Sequence, residues 1–211
     1  AMQDGVLRAL RAQRHDVLNE LTLASSYLDM GRTQEARQVL AFLAMNVSER
    51  HEASSLPSDA WLTIIRTKQK EAERRGITFT AEVRAPGPTD VHQLRYLPRI
   101  IGNFLDNAFE AASQDTDPFV RLNWEQVGEG YSLAVTNNGP GIPREVHDQV
   151  FKMGYSTKGG EHRGWGLVLC EKMARKIHGS ISFQSDDGLT TFVLQLPAEN
   201  YRDEQHFGYT G

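Results

Sequence analysis

Between Asn137 and Leu167 the chain carries three glycine-bearing segments, Asn138-Gly139-Pro140-Gly141, Thr157-Lys158-Gly159-Gly160 and Arg163-Gly164-Trp165-Gly166. Glycine lets bare backbone N–H groups approach a ligand that a side chain would hold off. Ser156, Thr157, Lys158 and Arg163 are interleaved, so the combination suits a phosphate chain. The third segment runs into an amphipathic stretch, Leu167, Val168, Cys170, Met173, Ala174 and Ile177 up to Gly179. That places Gly164 and Gly166 at a helix N-terminus, where the dipole favours an anion. A lone glycine pair marks a turn; three such segments close together, with cations between them, point past turns.

Two further groups could serve the same chemistry. Asn103 and Asn107 lie four apart on a stretch whose buried side is Ile100, Ile101, Phe104, Leu105 and Ala108, so both amides share one polar face. Glu110, a further turn along, reads as an exposed helix charge. Upstream, Arg14-His15-Asp16-Val17-Leu18-Asn19 sets an imidazole beside a carboxylate, with an amide one turn further on the same face. An isolated histidine is most often an ordinary surface residue, but His15 with Asp16 beside it has the parts of a nucleophile and its base.

The elements that must position these groups follow from periodicity. Leu7, Arg14, Leu21 and Leu28 fall seven apart, with Leu10, Val17 and Ala24 three beyond the first three, a coiled-coil-like heptad with one charged interruption. It predicts a helix over 4–30 with His15 on the flank of the apolar seam. Gly31 can end that helix in a left-handed cap, and Thr33 can cap a second one with apolar positions Ala36, Val39, Leu40, Leu43 and Val47. So short a turn makes the pair antiparallel. Two helices cannot bury both stripes alone, so a homodimer forming a four-helix bundle is expected.

Ser54, Ser55, Pro57 and Ser58 form a polar linker, with Ser58 able to cap a helix through Trp61, Leu62, Ile64, Ile65 and Ala72 that stops at Gly76. Ile77, Phe79, Ala81 and Val83 alternate as a half-buried strand. Proline fits the first turn of a helix, so Pro98 puts the start of the asparagine-bearing helix near Leu97. Val120, Leu122 and Trp124, then Tyr131, Leu133 and Val135, alternate around Gly128 and Gly130 as an antiparallel hairpin. Two more strands, at Ile181-Ser182-Phe183 and from Thr191 to Leu196, flank Asp186-Asp187-Gly188.

At 211 residues the chain can hold one full domain and a smaller one. A net charge of −4 gives no general pull toward nucleic acid or anionic lipid, and none is expected as a partner. The single cysteine, Cys170, excludes an internal disulfide framework, fits a reducing compartment, and reads as a buried structural thiol. No apolar run reaches the ~18 residues of a membrane helix and no signal peptide is evident. The expected setting is cytoplasmic, as the cytosolic part of a membrane-anchored sensor whose sensing region this chain does not include.

The segment from Asn137 to Pro143 resembles the first glycine box of the ATPase domain shared by histidine kinases, gyrase, Hsp90 and MutL. The stretch from Phe151 to Lys158 is similar to the opening of that family's ATP lid, and Arg163 to Leu167 to its second glycine box. Asn103 to Ala111 resembles the asparagine box of sensor histidine kinases, and the Arg-His-Asp run with Asn19 resembles their phosphoacceptor box. That box is closest to the citrate and dicarboxylate sensors and the sporulation phosphotransferase type.

The resemblance implies an α+β fold: an antiparallel helical hairpin over 1–54, an ATP-binding α/β sandwich over 59–197 with helices on one face of a mixed, mostly antiparallel sheet, and a flexible tail over 198–211. It implies a sensor histidine kinase using ATP and Mg2+, which phosphorylates His15 and passes the phosphoryl group to an aspartate on a response-regulator receiver domain. His15 would attack the γ-phosphorus, Asp16 would orient the ring or take its proton, and Asn19 would position a water for dephosphorylation of the partner. Asn107 would ligate Mg2+ and Asn103 would hold water or phosphate nearby. Asn137, Gly139, Gly141, Ile142, Thr157, Lys158, Arg163, Gly164, Gly166, Leu167 and Thr190 would hold the nucleotide, Thr190 near adenine. The alternatives are a catalytically weak or inactive phosphotransfer or scaffold protein, and a gyrase- or MutL-like ATPase, which the His15 hairpin disfavours.

Asn137 stands where the family carries Asp. An amide offers one acceptor and one donor in place of a carboxylate, so weaker ATP binding, a gain on Asn137→Asp, and poorer rejection of guanine are expected.

Overall fold

The structure is a computed structural model and describes residues 17–48, 59–151 and 166–198. His15, Asp16, the linker at 54–58, Thr157, Lys158, Arg163, Gly164 and the tail beyond Ala198 lie outside these residues. The chain divides into two compact units, 1–55 with 150–169, and 56–149 with 170–211.

In the first unit, helix α1 occupies 17–29 and α2 Thr33–Ser48. Gly31 ends α1 at φ 72°, with its N–H on the Leu28 carbonyl (2.9 Å) and the Arg32 N–H on that of Tyr27 (2.7 Å). The Ala36 N–H donates to the Arg32 carbonyl at 3.1 Å, so Arg32 holds the cap position that Thr33 was expected to fill. The Arg32 guanidinium lies 4.4 Å from the centre of the Tyr27 ring, a cation–π contact at the same corner. The heptad splits into two faces: Ala24 and Tyr27 are buried, whereas Leu18, Leu21 and Leu28 stand exposed. On α2, Ala36, Val39, Phe42 and Leu43 are buried, but Leu40, expected inside, is 41% exposed.

In the second unit, α3 covers Ala60–Arg75 and begins after Asp59, whose carbonyl accepts the N–H groups of Leu62 and Thr63. The cap position is therefore one residue beyond Ser58. A left-handed Gly76 ends the helix, as the sequence indicates. Strand β1 is Thr78–Val83 and α4 is Val91–Ala112. The α4 start corrects the expectation of Leu97. The Asp90 carboxylate caps the helix by accepting the Gln93 N–H at 2.8 Å, and Pro98 sits in the interior. A proline there costs about 3 kcal/mol, yet Leu94, Tyr96 and Leu97 are all buried in the first two turns. Burying each stabilises by roughly 1.5–3 kcal/mol, which offsets the proline.

Strands β2 (Phe119–Val127), β3 (Gly130–Asn138), β4 (Ser180–Asp186) and β5 (Leu189–Leu196) complete one sheet in the order β1-β2-β3-β5-β4. Only β1 runs parallel to its neighbour. As an edge strand β1 is less covered than expected: Phe79 is half-buried while Ala81 and Val83 are exposed. The helix-facing side of the sheet carries Val120, Leu122, Trp124, Leu133, Val135, Phe192 and Leu194, all buried. Trp124 lies between Trp61 (5.0 Å) and Tyr131 (5.1 Å) and donates to the Pro86 carbonyl; Phe104 of α4 meets Phe192 at 5.6 Å. Two-residue turns join β2 to β3 at Gly128-Glu129 and β4 to β5 at Asp187-Gly188; in the latter both residues have positive φ, the type I′ pattern.

A short 3-10 helix, Arg144–Gln149, follows β3, and α5 spans Gly166–Lys176. The left-handed residue after α5 is His178 (φ 55°), with the Gly179 N–H closing onto the Ala174 carbonyl at 2.8 Å. Cys170 is fully buried, and burial pushes its thiol well above the usual range, as suits a packing residue.

Candidate functional site

On α4, the Asn103 Nδ2 donates to the Arg99 carbonyl one turn back at 2.9 Å, which leaves the amide oxygen turned outward as an acceptor. Asn107 lies half-buried on the same face. Glu110, expected exposed, is half-buried too. Arg99 extends the stripe by one turn; the residue is exposed, and partial desolvation of its guanidinium lowers its pKa. Spacing by fours from Asn103 was the signal that could have singled out Arg99 in the sequence.

Asp106, beside Asn107, is gripped by Lys68 of α3, which also binds Glu71 at 2.7 Å. Burial works against the Lys68 charge, but hydrogen bonds to Asp106 and Glu71 outweigh it and raise the lysine pKa. At Glu71 burial likewise opposes, and bonds from Lys68 and Arg75 prevail to lower the carboxyl pKa. This cluster ties α4, the asparagine-bearing helix, to α3 through Asp106, one residue round the helix from Asn107.

The end of β3 holds the second group. Gly139 adopts φ 141°, and a Cβ there would stand 2.6 Å from the Ala111 carbonyl oxygen at the end of α4. Gly141 has φ 71°, with its missing Cβ 3.3 Å from Ser185 Oγ. The Ile142 N–H donates to that same Ser185 Oγ at 2.8 Å, and the Ser185 and Thr190 hydroxyls share a hydrogen bond of 2.9 Å. Thr190 faces Asn137 directly across β3 and β5, and both are buried. The Thr190 hydroxyl is bonded to Ser185, and either of the two can be the donor. Ser185 escaped sequence reasoning because its place comes from the β4–β5 register.

Asn137 donates through Nδ2 to the Asn138 carbonyl at 2.8 Å. Asn138 is itself held: its Oδ1 accepts the Phe119 N–H and its Nδ2 donates to the Asp117 carbonyl, each at 2.8 Å. His147 Nε2 donates to the Ile142 carbonyl at 2.9 Å, and its ring packs edge-on to Phe183. The structure therefore brings Asn137, Gly139, Gly141, Ile142 and Thr190 together, with Ala111 joining this loop to the end of the helix that carries Asn103 and Asn107. Gly166 and Leu167 open α5 and belong, with Asn19 of α1, to the other unit.

These residues fit a bound nucleotide. Backbone free of side chains at Gly139 and Gly141 passes the end of α4 and the Ser185 hydroxyl, beside the buried Asn137 amide and Thr190 hydroxyl. The asparagine oxygens are hard donors suited to Mg2+ beside phosphate. Among the described residues no group of three His, Cys, Asp or Glu could hold a metal alone, and no helix is long and apolar enough to cross a membrane.

A helix-covered mixed sheet with a glycine loop leaving its central strand defines a nucleotide-binding α/β sandwich. Residues 93–200 match the histidine kinase-, DNA gyrase B- and HSP90-like ATPase family, and the chain belongs to it. Residues 3–56 match the SpoOB-type α-helical domain of sensor kinases. The sensor protein CitS of Halalkalibacterium halodurans is 29% identical over 205 residues, covering 92% of this chain and 38% of that protein. The sensor histidine kinase DcuS of Escherichia coli is 26% identical over 204 residues, covering 93% and 37%. The chain thus spans less than two fifths of these relatives. Among solved structures, the catalytic domain of histidine kinase ThkA superposes with a TM-score of 0.58 at 19% identity, over 70% of this chain and 97% of that one. ThkA in complex with the response regulator TrrA gives 0.55 at 17%, over 95% and 65%. At those identities the solved structures speak for the fold.

Proposed function

We propose that this chain is the ATP-dependent phosphotransfer core of a two-component sensor kinase, which phosphorylates its own His15 and donates the phosphoryl group to an aspartate of a response-regulator receiver domain. The observation that carries the reading is the buried pair Asn137 and Thr190, with Ser185 half-buried and bonded to Thr190 and to the glycine loop, beside an α4 that carries Asn103 and Asn107. Support for the acceptor comes from the Arg-His-Asp run within the SpoOB-type match, and for the partner from the complex formed by ThkA.

In the proposed reaction a neutral His15 ring nitrogen attacks the γ-phosphorus as the bond to the β–γ bridging oxygen breaks. ADP leaves, and the ring proton passes to Asp16. Mg2+ supplies charge neutralisation at the phosphates. Asn107 is its proposed protein ligand, Asn103 orients water or phosphate, backbone N–H groups around Gly139, Gly141, Gly164 and Gly166 face the phosphates, and Lys158 and Arg163 are candidate cations for the γ-phosphate. Asn19 would place the water that returns the partner to its unphosphorylated state.

Incubation with γ-labelled ATP tests this. Acid-labile, base-stable label is expected on the natural protein and none on His15→Gln, which keeps nucleotide binding. Label persisting in that variant overturns the acceptor assignment, phosphate release without label points to a plain ATPase, and neither label nor release points to an inactive scaffold.

A further inference from the structure

The polar stripe of α4 does not end at Asn103. From the glycine loop backwards, Ala111, Asn107, Asn103 and Arg99 follow one another at steps of four residues, about 6 Å along the helix each. Ala111 marks the loop end, because a β-carbon on Gly139 would stand 2.6 Å from its carbonyl oxygen. Resting on the nucleotide-binding role proposed above, we propose that Arg99 is a helix-borne cation that pairs with the terminal phosphate of ATP and makes the site hold a triphosphate in preference to a diphosphate.

The order of groups along α4 sets which phosphate Arg99 meets. Asn137 and Thr190 lie across β3 and β5 at the loop end, Asn107 is the proposed Mg2+ ligand, and Asn103 the proposed partner of water or phosphate. The polyphosphate therefore runs from Ala111 toward the start of the helix. Asn103 leans the same way: its Nδ2 donates to the Arg99 carbonyl at 2.9 Å, so its amide lies over the turn that carries Arg99.

The Arg99 side chain has no counter-charge of its own. It is exposed and makes no ion pair among the described residues. The residues one turn away from it on α4 are Arg95, Tyr96, Gly102 and Asn103, none of them an anion, and the nearest carboxylate on the helix, Asp106, is held by Lys68. Its guanidinium is partly desolvated, which works against the charge, and an anion beside it would offset that cost. Arginine stays charged at neutral pH even so, and its planar fork matches phosphate oxygens.

Leu97, Ile100 and Ile101 on either side are buried, so the backbone at Arg99 is in place before the nucleotide arrives. That separates Arg99 from the candidate cations Lys158 and Arg163, which belong to the glycine segments. ADP ends one phosphate short of Arg99, so the product of phosphoryl transfer is held less tightly than the substrate.

Calorimetric titration of the β,γ-imido analogue of ATP and of ADP, each with Mg2+, into the full chain and into Arg99→Gln tests the proposal, with thermal melting of the variant alongside. Glutamine removes the charge at nearly equal helix propensity. The natural protein is expected to bind the triphosphate on the order of tenfold more tightly than ADP, and Arg99→Gln to lose about tenfold in triphosphate affinity with ADP affinity unchanged, the range for one hydrogen bond to a charged group. A loss shared equally by the two nucleotides, or no loss for either, overturns this inference and leaves the kinase reading standing. If the natural protein binds neither nucleotide, both fall. If Arg99→Gln does not fold, Arg99→Ala, with the best helix former at this exposed position, decides by the same pair of affinities.

Discussion

Gly139 and Gly141 look alike in the sequence, and the structure separates them. At Gly139 a β-carbon would press on the Ala111 carbonyl, backbone of a packed helix that cannot retreat, and φ 141° is strained for any other residue. Gly139→Ala is expected to destabilise the second unit by roughly 2–5 kcal/mol, the sum of backbone strain and overpacking. At Gly141 the obstacle is a serine hydroxyl, which can rotate away at the cost of its bond from Ile142. Gly141→Ala should therefore cost about 1–3 kcal/mol. Urea denaturation of both variants checks the order; equal losses would mean that contact with α4 does not set the difference. The spacing of the glycines was legible because it lives in the chain, whereas Ser185 and the partner of the Asn137 amide come from sheet register and loop geometry.

Helix α4 shows how one local rule can mislead while another sits beside it. The proline rule moved the start to Leu97, although Asp90 followed three residues later by Gln93 is itself a start signal. The tertiary burial of Leu94 and Tyr96 decides between them. Pro98→Ala restores a backbone donor toward the Leu94 carbonyl and should raise stability by about 1–3 kcal/mol. The midpoint in urea is expected to rise at unchanged slope; no shift would show that the helix has already adapted to the ring. The Lys68 cluster gives α3 and α4 a pH dependence of definite sign. Glu71 has a lowered pKa, so its contribution is present above the ordinary glutamate range and lost as pH falls through it. Lys68 has a raised pKa, so its contribution is present below the ordinary lysine value and lost as pH rises past it. Lys68→Met is expected to flatten the acid limb of stability against pH. An unchanged limb would place that slope elsewhere.

At the scale of the whole molecule the open question is what covers α1. The heptad correctly marked an apolar helix but treated as one seam what the structure divides in two, because a period near seven does not say which neighbour each position faces. Ala24 and Tyr27 are buried within the chain, while Leu18, Leu21 and Leu28 are 53%, 44% and 53% exposed along one stripe. Three leucines so aligned on a single helix are what a second copy of the hairpin would cover in a four-helix bundle, and burying each stabilises by about 1.5–3 kcal/mol. The chain is therefore expected to be a homodimer through residues 4–52, at twice the 23.7 kDa of one chain. Leu21→Asp sets two charges into that seam and should shift the equilibrium toward monomer by at least about a hundredfold. The ATP site lies on other elements, so nucleotide affinity should be kept. Light scattering across a dilution series, with nucleotide titration of the same samples, separates the outcomes: a natural protein of single-chain mass at high concentration, or a Leu21→Asp variant as dimeric as its parent, would remove the hairpin as the dimer interface.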